Sequence, residues 1–325
     1  PVTNTAEGDV SFTLAPQTPE LMEKLFSLFQ TKHRPFALFE MRMSPQLHYA
    51  VYGFAAHADF AQSIRWGGYR PMVFMAHGLA VGLFVCAAAF AAVILARLDE
   101  KIGRFDAKRV AWFLAVLLVL CKSTGAIAYF IVIAPMLAKL SPRALTRTAQ
   151  VLVFIVVTYP ALRAYDLFPV DDLLATFGSV SEDRADSLAF RFDNENKLLA
   201  RAQERLTFGW GSYGRNAVYD AEMGKESTVA DGQWIIWLGS RGLVGLLCFF
   251  GLVVTPILRT HRMIGRVKDP RLALMLAGVA LVVAILVTDL IPNGMFSAYP
   301  LFLAGALSGL TRRGITTWPK SQHVV

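Results

Sequence analysis

The feature that most limits what this chain can become is an alternation between residues 71 and 310, where apolar runs of membrane-spanning length are separated by short loops crowded with lysine and arginine. A helix of about 20 apolar residues matches the hydrocarbon thickness of a bilayer, and there the backbone must satisfy its own hydrogen bonds. Helices are therefore the expected form. The first run, 71–96, leads into a loop holding Arg97, Lys101, Arg104, Lys108 and Arg109, which the positive-inside rule places on the cytoplasmic side. The run 110–140 is too long for one simple span and is interrupted by Lys122-Ser123-Thr124-Gly125. Two short helices joined by an outer-face turn keep the next basic loop, Lys139, Arg143 and Arg147, inside; a single kinked helix would put it outside.

A span over 148–163 leads outward, 164–240 contains none, and 241–258 returns to Arg259, His261, Arg262, Arg266, Lys268 and Arg271. The last pair, 272–291 and 299–310, ends at Arg312 and Arg313. The expected architecture is an all-α polytopic membrane bundle of about seven transmembrane helices with a large external helical loop. Its parts are an external N-terminal segment (1–70), a first transmembrane group (71–163), a large periplasmic loop (164–240) and a second transmembrane group with a cytoplasmic C-terminus (241–325). This layout puts every short basic loop on one side of a bacterial inner membrane.

Composition agrees with a bilayer as the surroundings: 55% of the residues are hydrophobic, 17% are charged, and the mean hydropathy is +0.46. The net charge of +8 is spread between the spans and not gathered on one soluble face, which excludes a nucleic-acid reader. Cys86, Cys121 and Cys248 lie inside apolar stretches without CxxC spacing, and no P-loop, GxGxxG or HExxH motif is present. No metal and no cofactor are expected. The chain begins at Pro1 without a signal pattern, which is expected of an N-terminally truncated form. LMEKLFSLF (21–29) has the spacing of a short amphipathic helix, lying on the membrane or packed on its own loop.

Chemistry is expected in the long loop. Leu198, Leu199, Ala202 and Leu206 share one helical face over 193–206 while Lys197, Arg201 and Arg205 share another, and FGWGSYG then breaks the helix. Those glycines let a backbone approach a ligand, or make a turn anchored by Trp210 and Tyr213. An outer loop has no topological reason to concentrate Arg184, Arg191, Arg201, Arg205 and Arg215, and guanidinium matches diphosphate oxygens. Asp231, just before the return into the membrane, suits a general base or the cap of a helix starting near Gly232. Lys122 and Asp289, at the outer ends of spans, suit snorkelling or substrate pairing, and His77 suits helix packing.

The stretch from Arg191 through FGWGSYGRN to DGQWIIWLGSRGLVG resembles the O-antigen ligase and O-antigen polymerase superfamily. Its members carry an arginine upstream of a GWG-type turn, a large periplasmic loop, and a glycine-rich return spaced like Gly242 and Gly245. The KSTGA turn (122–126) is similar to the family's earlier SRG-type turn, and the likeness covers 75–311. EMRMSPQLHYAVYGF and RWGGYRPMVFMAHGL look like an exopolysaccharide polymerase-like branch, in which further spans precede the external segment. Asp231 stands where ligases of the family have a histidine, and Thr124 where they have an arginine. Those departures point towards polymerase-like proteins.

The resemblance implies a metal-independent, inverting glycosyltransferase facing the periplasm. Its donor would be an undecaprenyl-diphosphate-linked glycan, its acceptor a second glycan, and polysaccharide-assembly proteins further partners. Arg191 and Arg215 would bind the diphosphate with Lys122 and Arg201 behind them; Asp231 would be the base, with Glu195 as the second candidate. A transporter of lipid-linked oligosaccharide is the competing class and would be expected to show internal repeats and midplane broken helices. A non-catalytic subunit of a secretion complex is a third.

Overall fold

The computed structural model describes residues 34–55, 60–179, 182–220 and 222–312. The expected surface helix at 21–29 and Arg313 lie outside these residues, and of Arg184 only the backbone is described. Among the described residues eleven α-helices dominate: α1 (Arg34–Met43), α2 (Leu47–Tyr52), α3 (Gly78–Arg97), α4 (Ala107–Leu120), α5 (Thr124–Lys139), α6 (Pro142–Ala164), α7 (Val170–Gly178), α8 (Glu182–Gln203), α9 (Gln233–Ile264), α10 (Pro270–Thr288) and α11 (Tyr299–Arg312). Two antiparallel hairpins of two-residue strands, β1 (Ile64–Arg65) with β2 (Gly68–Tyr69) and β3 (Lys101–Ile102) with β4 (Phe105–Asp106), interrupt the all-helical plan.

All seven apolar segments are helices. Four of them, α3, α6, α9 and α10, are long and apolar enough to cross a membrane. The other three, α4, α5 and α11, have 14, 16 and 14 residues, fewer than the ~20 that span a bilayer unaided. The external loop is also shorter than its expected 164–240, because 233–240 already forms the start of α9.

Helix α10 is the axis of the bundle. It is apolar on every face, every residue from Leu272 to Val287 is buried, and it packs against α3, α6, α9 and α11. Asp269 caps it by accepting from the amides of Arg271 and Leu272, and Pro270 occupies its first turn. On one flank α3 packs against α4 and α5; on the other α6, α8 and α9 pack together.

The KSTG segment divides two helices. Helix α4 ends at Leu120 with Cys121 as its cap, Lys122 takes a left-handed φ of 53°, and Ser123 precedes the first residue of α5. Helix α9 breaks at Gly242 (φ 67°, ψ −172°), a conformation that belongs essentially to glycine. The break opens the helical ladder, and the turn after α8 fills it: Trp210 and Gly211 donate to the carbonyls of Gly239 and Ser240, while Leu243 and Val244 donate to Leu206 and Thr207. A β-carbon on Gly209 would lie 2.6 Å from the Arg241 amide nitrogen. The glycines of the GWG turn therefore let backbone meet backbone, which holds the loop after α8 onto the bundle.

Candidate functional site

The first turns of α3 and α5, the first half of α8 and the residues that follow α10 surround a cavity of about 710 Å3. Four cations line it from three segments: Arg65 and Arg70 from the two sides of the β1–β2 hairpin, Lys122 from the turn between α4 and α5, and Arg191 from α8. Two carboxylates, Asp231 and Asp289, line it as well.

Each cation is set by its local fold. Glu40, fully buried in α1, accepts from the amides of Met72 and Val73 at 2.7 Å and of Leu47 at 3.2 Å, fixing the chain just beyond Arg70. Arg70 is only 6% exposed and donates to the Lys122 carbonyl at 3.0 Å, while its Nε has no hydrogen-bond partner among the described residues. Its aliphatic stem passes over Gly78, where a β-carbon would collide with it. Burial, and then the neighbouring Arg65 charge, lower the Arg70 pKa from the ordinary arginine value, and an anion bound beside it would favour its charged form. Lys122 extends over Gly68, where a β-carbon would meet its Nζ. Ser123 packs against Gly82 of α3, which brings this turn and that helix together.

Across the cavity, Arg191 Nε lies 3.4 Å from the Asp231 carboxylate, and its Nη1 reaches the Pro292 carbonyl at 3.5 Å. Asp231 does not cap α9: the helix is preceded by Gly232 and receives no side-chain cap. Its carboxylate instead orients the arginine. Asp289, just past the end of α10, accepts from Asn293 at 3.0 Å and from the Tyr129 hydroxyl. His77 caps α3 by accepting the Leu79 amide, and it also lines the cavity.

Among the expected site residues, Arg191, Lys122 and Asp231 come together here. The other three do not join them. Glu195 is absent from this cavity but lines the smaller hollow beside it, where Arg163 at 2.8 Å, the Tyr159 hydroxyl at 3.0 Å and the Trp234 indole at 2.9 Å donate to its carboxylate. Arg201 stacks on Trp210 at 3.4 Å and pairs with Glu204 at 2.6 Å, while Trp210 donates to the Arg201 carbonyl. Arg205, past the end of α8, faces the same ring at 4.2 Å. Arg215 is exposed in the following turn and donates to the Ser212 carbonyl at 3.0 Å. Nothing in known proteins adds to this geometry. No family model, no curated protein and no solved structure matches the chain.

Arg65 and Arg70 are the residues that sequence reasoning missed. They flank the WGGY hairpin in the segment expected to be external, where the topological argument used for the loop arginines applies equally. A second hollow of about 310 Å3 adjoins the cavity and shares Tyr129, Arg191, Asp231 and Pro292 with it; its other walls, including Phe168, Leu188, Phe192 and Ile235, are mostly apolar. The arrangement pairs a positively charged chamber with an oily annex, and the Arg191–Asp231 pair stands between them. An amphiphile with an anionic head fits that division.

Proposed function

We propose that this chain is a membrane glycosyltransferase of the O-antigen ligase and polymerase type, crossing the inner membrane about seven times and joining undecaprenyl-diphosphate-linked glycans on the periplasmic face. One observation carries the reading: four cations from three segments converge on a cavity that also holds Asp231 and Asp289. In glycosyl transfer from a diphosphate, the bond between sugar C1 and the phosphate oxygen breaks as the acceptor hydroxyl attacks C1 from the opposite face. The negative charge that develops on the departing diphosphate is met by Arg191, Arg70, Arg65 and Lys122, already positioned before reaction. The acceptor hydroxyl gives its proton to Asp231, which Arg191 holds in place. The apolar annex accommodates the first part of the polyprenyl tail.

The test is a cell lacking this protein, compared with the same cell complemented by wild type or by Asp231→Asn. Lipid-linked repeat units should accumulate and polymer should disappear, with restoration only by wild type. Undiminished polymer in the deleted strain would remove the proposal.

A further inference from the structure

At the other, basic end of the bundle α3, α4 and α5 line an open groove of about 620 Å3 that the site described above does not use. Trp112, Phe130 and Ile131 give it apolar walls, and Arg97, Lys108 and Lys139 stand at its rim without a carboxylate in the lining. Arg97 and Lys139 are the last residues of α3 and α5, and Lys108 is the second residue of α4, so the three cations share one level of the bundle. Lys108 is matched by Asp99 at 2.8 Å. The other two cations have no carboxylate partner among the described residues.

Arg97 is also fixed in place. Its Nη1 donates to the carbonyls of Leu137 and Leu140 at 2.8 and 2.6 Å, tying α3 to the end of α5 without neutralising the guanidinium charge. Trp112, in the second turn of α4, is 76% exposed, at the level where amphipathic rings mark the boundary between hydrocarbon and headgroups. An open apolar groove that ends in positive charge without a carboxylate partner at that boundary is complementary to one kind of molecule. Diffuse attraction of basic loops to a membrane would need no groove, and a zwitterionic lipid would bring a headgroup cation of its own beside the two already there.

We propose that this groove binds an anionic phospholipid of the leaflet facing the basic loops, with its phosphate and headgroup between Arg97 and Lys139 and an acyl chain along Trp112, Phe130 and Ile131. The proposal requires only that the chain sit in a bilayer and is independent of the glycosyl-transfer reading. It is tested by reconstituting the full protein in nanodiscs of equal phosphatidylglycerol and phosphatidylcholine and counting the retained lipids by native mass spectrometry. Wild type should retain phosphatidylglycerol in preference, and Lys139→Gln should lower that preference about fivefold, the effect of one cation near a membrane surface. Lys139→Arg should keep it. Ala115→Phe, which fills the groove without altering a charge, should remove the retained lipid. Equal retention of the two lipids by wild type would overturn the proposal, as would a phosphatidylglycerol preference that survives Ala115→Phe, because the general basic surface would then account for it.

Discussion

Replacing Glu195 tests whether this carboxylate serves packing or chemistry. The Arg163 side chain is 1% exposed and that of Glu195 12%, with 2.8 Å between them, and Glu195 also accepts from Tyr159 and Trp234. Glu195→Leu leaves a buried guanidinium without its counter-charge, which costs about 3–5 kcal/mol. It also leaves the Trp234 N–H without an acceptor, at about 1–3 kcal/mol. Arg163→Met in the same chain removes the first cost and leaves the second, so the double variant should be more stable than Glu195→Leu alone by about 2 kcal/mol or more. Reversible unfolding in mixed micelles, followed by tryptophan fluorescence, measures all four members of the cycle. Further destabilisation of Glu195→Leu by Arg163→Met would refute the reasoning and free Glu195 for a role in proton transfer. Since Arg191 lies one helical turn before Glu195, loosening this clamp should also misplace Arg191.

Gly242→Ala should sharply lower folded protein, because its β-carbon would lie 2.3 Å from the Thr207 carbonyl oxygen, whereas Gly251→Ala in the same helix meets open space and should be neutral or stabilising by about 0.5–1 kcal/mol; matched expression measured by size-exclusion fluorescence compares the two. Arg191→Lys keeps the charge but removes the bidentate fork, so polymer formation should fall sharply at unchanged membrane abundance. Asp231→Asn should stop turnover while donor retention persists, and wild-type polymer from that variant would exclude Asp231 as the base. Topology reporters at Gly103 and Arg266 should give cytoplasmic signals and one at Gly224 a periplasmic signal; an external Gly103 would reverse the assigned orientation.

The helices were legible because a continuous apolar run leaves the backbone few alternatives, and Lys122 with Gly125 marked the break between α4 and α5 openly. Helix α8 begins at Glu182, not near 193, since its first half carries a single leucine, Leu188, among alanines and phenylalanines, and the repeating leucines start only at Leu198. The site was legible only in part. A census of loop arginines cannot distinguish one that faces a cavity from one already stacked on an aromatic ring, so Arg191 and Arg201 looked alike until Trp210 was seen folded back onto Arg201. Glu195 carries no sequence sign that Arg163, 32 residues earlier, claims its carboxylate. Arg70 enters the site through contacts across 52 residues, set by a buried Glu40 that sequence alone presents as one more surface charge.

The central claim is that the cavity carries out glycosyl transfer from a lipid diphosphate, and purified protein in proteoliposomes tests it most directly. Supplied with an undecaprenyl-diphosphate-linked oligosaccharide, the wild-type protein should lengthen the glycan and release one undecaprenyl diphosphate for each bond formed. Donor that remains intact, or that crosses the vesicle membrane unchanged, would contradict the account.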